Sequence, residues 1–85
     1  MTPQEIDQKV KEILSKKLDV ELSKISGDTR LADDLGVDSF GALELMFEIE
    51  EAFDLKISDS DIEHIRSVND IVAHVDTWIK KNAAT

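Results

Sequence analysis

The chain of 85 residues contains no cysteine. No disulfide can therefore staple the fold, and no thiolate metal site can form. No apolar run approaches the roughly 20 residues needed to span a bilayer. The N-terminus lacks the basic-then-apolar pattern of a secretory signal, so the expected compartment is the cytoplasm. With three glycines in all, there is no Gly-rich nucleotide loop, nor any internal repeat or low-complexity tract. Catalytic groups are equally scarce. His64 and His74 are the only histidines, and neither has a motif partner for a Ser-His-Asp or metal constellation. A calcium hand needs alternating oxygen ligands, a central glycine and a final glutamate. Asp54-Leu55-Lys56 places lysine at a ligand position, and Asp59-Ser60-Asp61 lacks the glycine. The expectation is a protein with no catalytic group and no resident metal. Loose divalent-ion binding among its carboxylates stays open.

Negative charge is what the chain has in excess. Its net charge of −9 argues against nucleic acid and anionic membrane surfaces as partners. The acidity is also concentrated. Between Asp28 and Glu63 there are twelve acidic residues and two basic ones; the remainder is nearly balanced. Such a block keeps a small protein soluble, and it equally suits docking to basic partners. The length fits one small domain, 1–85, with one core.

Thr2-Pro3-Gln4-Glu5 is a helix start, with Thr2 at N-cap, Pro3 at the first position and Glu5 completing a capping box. Ile6, Val10, Ile13, Leu14 and Leu18 recur at helical spacing, which predicts a helix over Pro3 to Leu18. From Asp19 to Asp38 no period is sustained. So long a loop needs anchors, and Val20, Leu22, Ile25, Leu31 and Leu35 are the candidates. Glu21 to Ile25 fits a brief helical turn, and Ser26-Gly27-Asp28 a tight one. A second helix is predicted over Ser39 to Phe53. Its apolar residues, Phe40 and Phe47 among them, cover more than one face, which places it centrally. Ser58 or Asp59 caps a short third helix containing Ile62 and Ile65. Ser67 caps a last helix whose buried stripe includes Val68, Ile71, Val72, Val75 and Ile79. Trp78 is expected to cover one end of the core, and Asn82 to Thr85 to fray. Three main helices plus one short helix make an all-α, small four-helix bundle.

The stretch before the second helix organises the rest. Gly36 supplies backbone freedom. Asp38 suits the N-cap, where its carboxylate accepts from first-turn N–H groups. Ser39 then projects its hydroxyl at the positive end of the helix dipole, where a phosphate ester is stabilised. Taken alone, Asp-Ser before an apolar run is an ordinary helix cap. Along the exposed strip of that helix lie Glu44, Glu48 and Glu51, which share one face.

Leu31, Asp34-Leu35-Gly36 and Asp38-Ser39, followed by Glu44-Leu45, Ile49-Glu50-Glu51 and Phe53, resemble the acyl carrier proteins over nearly the whole chain. The resemblance implies the same bundle, with a 4′-phosphopantetheine arm from coenzyme A on Ser39 beside Asp38. Its thiol would hold acyl groups as thioesters for fatty acid or related lipid and polyketide biosynthesis. The implied partners are a phosphopantetheinyl transferase (holo-acyl-carrier-protein synthase) and acyl-transferring and ketosynthase-type enzymes with basic docking patches, met by a monomer. Asp38, Glu44, Glu50 and Glu51 match family docking positions, and Glu48 joins them from helix spacing. The family also implies an acyl pocket, for which Met46, Ile49, Phe53, Ile57, Ile62 and Ile65 are candidates; the same residues serve equally as core. Phe40 and Gly41 depart from the leucine and acidic residue usual there, which suggests a specialised acyl carrier. A peptidyl or aminoacyl carrier, and an acidic helical adaptor without an arm, are the alternatives.

Overall fold

The computed structural model describes residues 2–83, with side chains through Lys81. Four helices follow one another: α1 Pro3–Leu18, α2 Ser39–Phe53, α3 Asp59–His64 and α4 Val68–Ala83, with a single 3-10 turn, Leu22–Lys24, between α1 and α2. No strand is present among the described residues, only an isolated antiparallel bridge between Arg30 and Ser67.

Each helix begins where the capping chemistry places it. Thr2 Oγ1 accepts from the Glu5 N–H at 3.2 Å, and Glu5 Oε1 accepts from the Thr2 N–H at 2.9 Å. Ser58 Oγ accepts from the Asp61 N–H. Ser67 Oγ accepts from the Asp70 N–H, while Asp70 Oδ2 accepts from the N–H groups of Arg66 and Ser67 at 2.9 and 3.1 Å. The helices α1 and α2 both end on an aspartate in left-handed backbone, Asp19 at φ 54° and Asp54 at φ 52°, a conformation that aspartate tolerates better than most residues.

The core is the shared face of these helices. Ile6, Val10 and Leu14 of α1 meet Val68, Ile71 and Val75 of α4, all fully enclosed, and α2 adds Leu45, Met46 and Ile49. The most extensive helix pairing is α1 with α4; α2 packs on α1 and α3. Trp78 packs against the core's edge as expected.

Four expectations need correction. The helix α2 is not enclosed on several sides, because Phe40 and Phe47 are 70% and 57% exposed. The helix α3 stops at His64; Ile65 is its extended C-cap, freeing the next residues to bond the long loop. Leu22 does not anchor that loop, being exposed, although Ile25 and Leu31 are buried. Asn82 and Ala83 continue α4; the fraying expected at Ala84 and Thr85 lies outside the described residues.

The long loop is held by stitching to the start of α4. Leu31 N–H donates to the Arg66 carbonyl at 3.0 Å, Val68 N–H to the Thr29 carbonyl at 3.1 Å, and Asn69 N–H to the Gly27 carbonyl at 2.9 Å. Asn69 Nδ2 adds a bond to Asp28. The buried Thr29 hydroxyl accepts from the Ser26 N–H at 2.8 Å. These pairings satisfy backbone groups that would be costly to enclose unbonded.

Asp70 sits at the centre of that junction. Its carboxyl is held below its ordinary value of 3.8, chiefly by the Arg66 N–H and then by Ser67, with Arg66 charge adding a little; partial burial opposes them. A folded-state pKa lowered in this way adds stability that is present above the ordinary value and lost as pH falls through the lower one. Thermal melts should therefore show a falling midpoint at acidic pH, and Asp70→Asn should flatten part of that fall. At neutral pH the same substitution should cost about 1 kcal/mol, as loss of a helix cap does.

Candidate functional site

The residues before α2 form one more capped turn. Asp34 Oδ2 accepts from the Arg30 N–H at 2.7 Å, and the Asp34 and Leu35 N–H groups donate back to the Arg30 carbonyl. Gly36 ends this turn at φ +67°, where a side chain would be strained. Val37 N–H then closes on the Leu31 carbonyl at 2.8 Å, and Val37 is buried. With the chain pinned there, Asp38 is extended and its Oδ1 accepts from the Gly41 N–H at 2.7 Å. Ser39 is the first residue of α2.

Ser39 is exposed, and its hydroxyl makes no hydrogen bond to another described residue. It lies where the Ser39 and Phe40 N–H groups have no helical acceptor and the dipole is positive. A free hydroxyl in open space at an anion-favouring helix end fits a phosphodiester attachment. Gly41 has a structural reason: a Cβ there would lie 3.1 Å from Asp38 Oδ1 and 3.3 Å from Val37 Cγ1, crowding the cap.

The five acidic docking candidates occupy different environments. Asp38 is committed to its cap. Glu50 Oε2 accepts from the part-buried Ile57 N–H at 2.8 Å, tying α2 to the segment after it. Glu48 is half-buried and lies 3.7 Å from Lys17 Nζ of α1. Glu44 and Glu51 are exposed. They share a stripe with Phe40 and Phe47, because spacings of four, three and four residues return to one helix face. The exposed phenylalanines were not anticipated at a functional surface. Their spacing was the available signal, since they interleave with Glu44 and Glu51 on the same line.

The six acyl-pocket candidates are brought together. Met46, Ile49 and Ile57 are buried, while Phe53, Ile62 and Ile65 pack against the same core; Lys9 Nζ lies 5.2 Å from the centre of the Phe53 ring. A separate open groove of about 570 Å³ lies beside Ser39, walled by the 30–38 turn, the start of α2 and the α3–α4 junction. Of the six, Ile65 lines it.

His64 is exposed on α3. His74 Nε2, on α4, lies 3.9 Å from Asp61 Oδ2. The Asp61 carboxyl is held low mainly by its hydrogen bond with Ser58, with His74 contributing less. Among the described residues, no three His, Asp or Glu side chains gather to hold a metal ion, and no helix is long and apolar enough to cross a membrane.

A family model described as a phosphopantetheine attachment site matches residues 8–75. The chain is similar to the acyl carrier protein of Thermotoga maritima, at 41% identity over 73 residues, covering 86% of this chain and 90% of that protein. It is 37% identical over 76 residues to the acyl carrier protein of Akkermansia muciniphila, covering 89% and 95% of the two chains. The solved acyl carrier protein of Enterococcus faecalis superposes with a TM-score of 0.74 at 36% identity, covering 88% of this chain and 95% of that one.

The split among the carboxylates is measurable without any partner. Glu50→Ala should cost at least about 1 kcal/mol, because it leaves the Ile57 N–H without its acceptor. Asp38→Ala should cost about as much through the lost cap. Glu44→Ala and Glu51→Ala should stay within about 0.5 kcal/mol of the parent, as exposed positions do. Denaturant melts of the four variants check this ordering.

Proposed function

The chain belongs to the acyl carrier protein family, and from that premise we propose that Ser39 carries its 4′-phosphopantetheine arm. The observation that supports this most is the uncommitted, exposed hydroxyl at the first position of the Asp38-capped helix, inside the matched region. In the loading step, Ser39 Oγ bonds to the phosphorus of the pantetheine phosphate of coenzyme A. The pyrophosphate bond breaks, adenosine bisphosphate leaves with its electrons, and the serine proton passes to a base of the transferase. The terminal thiol of the arm supplies the thioester chemistry when bound. The family consists of carriers, and this chain is read as presenting cargo to separate enzymes in the cytoplasm, supplying no catalytic group of its own.

What the chain contributes is placement and recognition. The pinned turn at Gly36 and Val37 fixes where the hydroxyl points. The exposed Glu44 and Glu51, with Asp38 and Glu48 beside them, set a negative field that steers basic partners, acting mostly on encounter rate and selectivity. Phe40 and Phe47 add apolar area that desolvates on contact. Glu50 is assigned first to the fold and only second to docking. Shelter of the acyl chain is assigned to the Met46, Ile49, Phe53, Ile57, Ile62 and Ile65 cluster, in which Met46 can re-pack around cargo of different length.

Mass spectrometry after incubation with coenzyme A and a promiscuous phosphopantetheinyl transferase tests the assignment. One phosphopantetheinyl group should be gained by the parent and none by Ser39→Ala; a group gained elsewhere would overturn it. Charge reversal at Glu44 or Glu51 should slow transfer with a basic partner and weaken its salt dependence, with melting little changed. Phe47→Ala should raise dissociation more than it lowers association, since steering survives while contact area is lost.

A further inference from the structure

The chain has only two arginines, Arg30 and Arg66, and both line the groove beside Ser39. They come from opposite sides of it, one from the pinned turn and one from the α3–α4 junction, brought together by the Leu31-to-Arg66 and Arg30–Ser67 pairings. The eight other cations are all lysines. Guanidinium differs from ammonium in presenting planar, paired donors that match phosphate oxygens.

Three carboxylates share the groove: Asp33, Asp38 and Asp70. Asp38 is occupied by the Gly41 N–H, and Asp70 by the N–H groups of Arg66 and Ser67. Asp33 lies 3.4 Å from Arg30 in a pair that is mostly exposed, and such pairs contribute little. The Arg66 guanidinium makes no ion pair among the described residues, although its charge is felt by Asp70. The floor between the arginines is apolar, from Leu31, Val37, Ala42 and Ile65. Its volume of about 570 Å³ falls in the ~300–1,000 Å³ range of small-molecule sites.

Resting on the carrier assignment of Ser39, we propose that Arg30 and Arg66 form a clamp that seats the arm's phosphodiester and adjoining amide in this groove. The clamp takes a singly charged anion tethered at Ser39. Docked, the arm lies along the molecule; released, it swings free to partners. Encounter with another strong anion or a partner carboxylate at the arginines then favours release.

The test compares amide NMR spectra of the protein before and after loading, with mass spectrometry confirming the arm. Residues 65–67 are distant from Ser39 in sequence, so a shift there on loading reports the arm through space. The parent should show that shift. The Arg30→Gln/Arg66→Gln double variant should load fully, keep its helical circular dichroism and lose the shift at 65–67. Shifts confined to 38–41 in the loaded parent, or equal shifts at 65–67 in the double variant, would overturn the clamp while leaving the carrier assignment intact. Failure of the parent to gain the group would overturn both.

Discussion

The backbone pairing between the loop and the start of α4 is the constraint on which the site depends. Three main-chain bonds, from Leu31, Val68 and Asn69, run between segments far apart in sequence. They fix the turn at residues 30–37 against a helix that is itself enclosed by α1. Without them Asp38 would still cap α2 locally, but nothing would set the angle at which the loop delivers Ser39. The ordering cost of so long an irregular segment, of order 1 kcal/mol or more per residue, is offset by Ile25, Leu31 and Val37 in the core and by these bonds.

The same economy explains the acidic helix. Like charges one turn apart weaken a helix, yet α2 carries a run of them. Glu50 and Glu48 are given structural partners, in the Ile57 N–H and in Lys17. Glu44 and Glu51 are left in water, where repulsion is screened. The charge that has no use in the fold lies beside the aromatic area that has none either. Partner recognition is then confined to one stripe, and sequence changes along it can alter selectivity with little effect on folding.

Much of this was legible before any coordinates. The capping box at Thr2 and Glu5, the stripes of α1 and α4, and the Asp38–Ser39 start of α2 all depend on neighbours within one helical turn, so their residues specify them directly. Three readings failed for a common reason. Phe40 and Phe47 were taken for core, Leu22 for an anchor, and Ile65 for helix. In each case local apolarity or propensity was clear, but which side of the element faces a neighbour is not a local property. Likewise Glu50 looked interchangeable with Glu44 until the segment returning to Ile57 took its carboxylate.

Sequence alone determined the all-α bundle, the helix starts and the family to which the chain belongs, because short-range hydrogen bonding and helical periodicity are written in adjacent residues. Only the tertiary structure decided which glutamates remain free, which phenylalanines meet water, and that two arginines separated by thirty-five positions flank one serine. Those outcomes follow from the stitching of a loop to a distant helix, and contacts of that range leave no periodic trace in the chain.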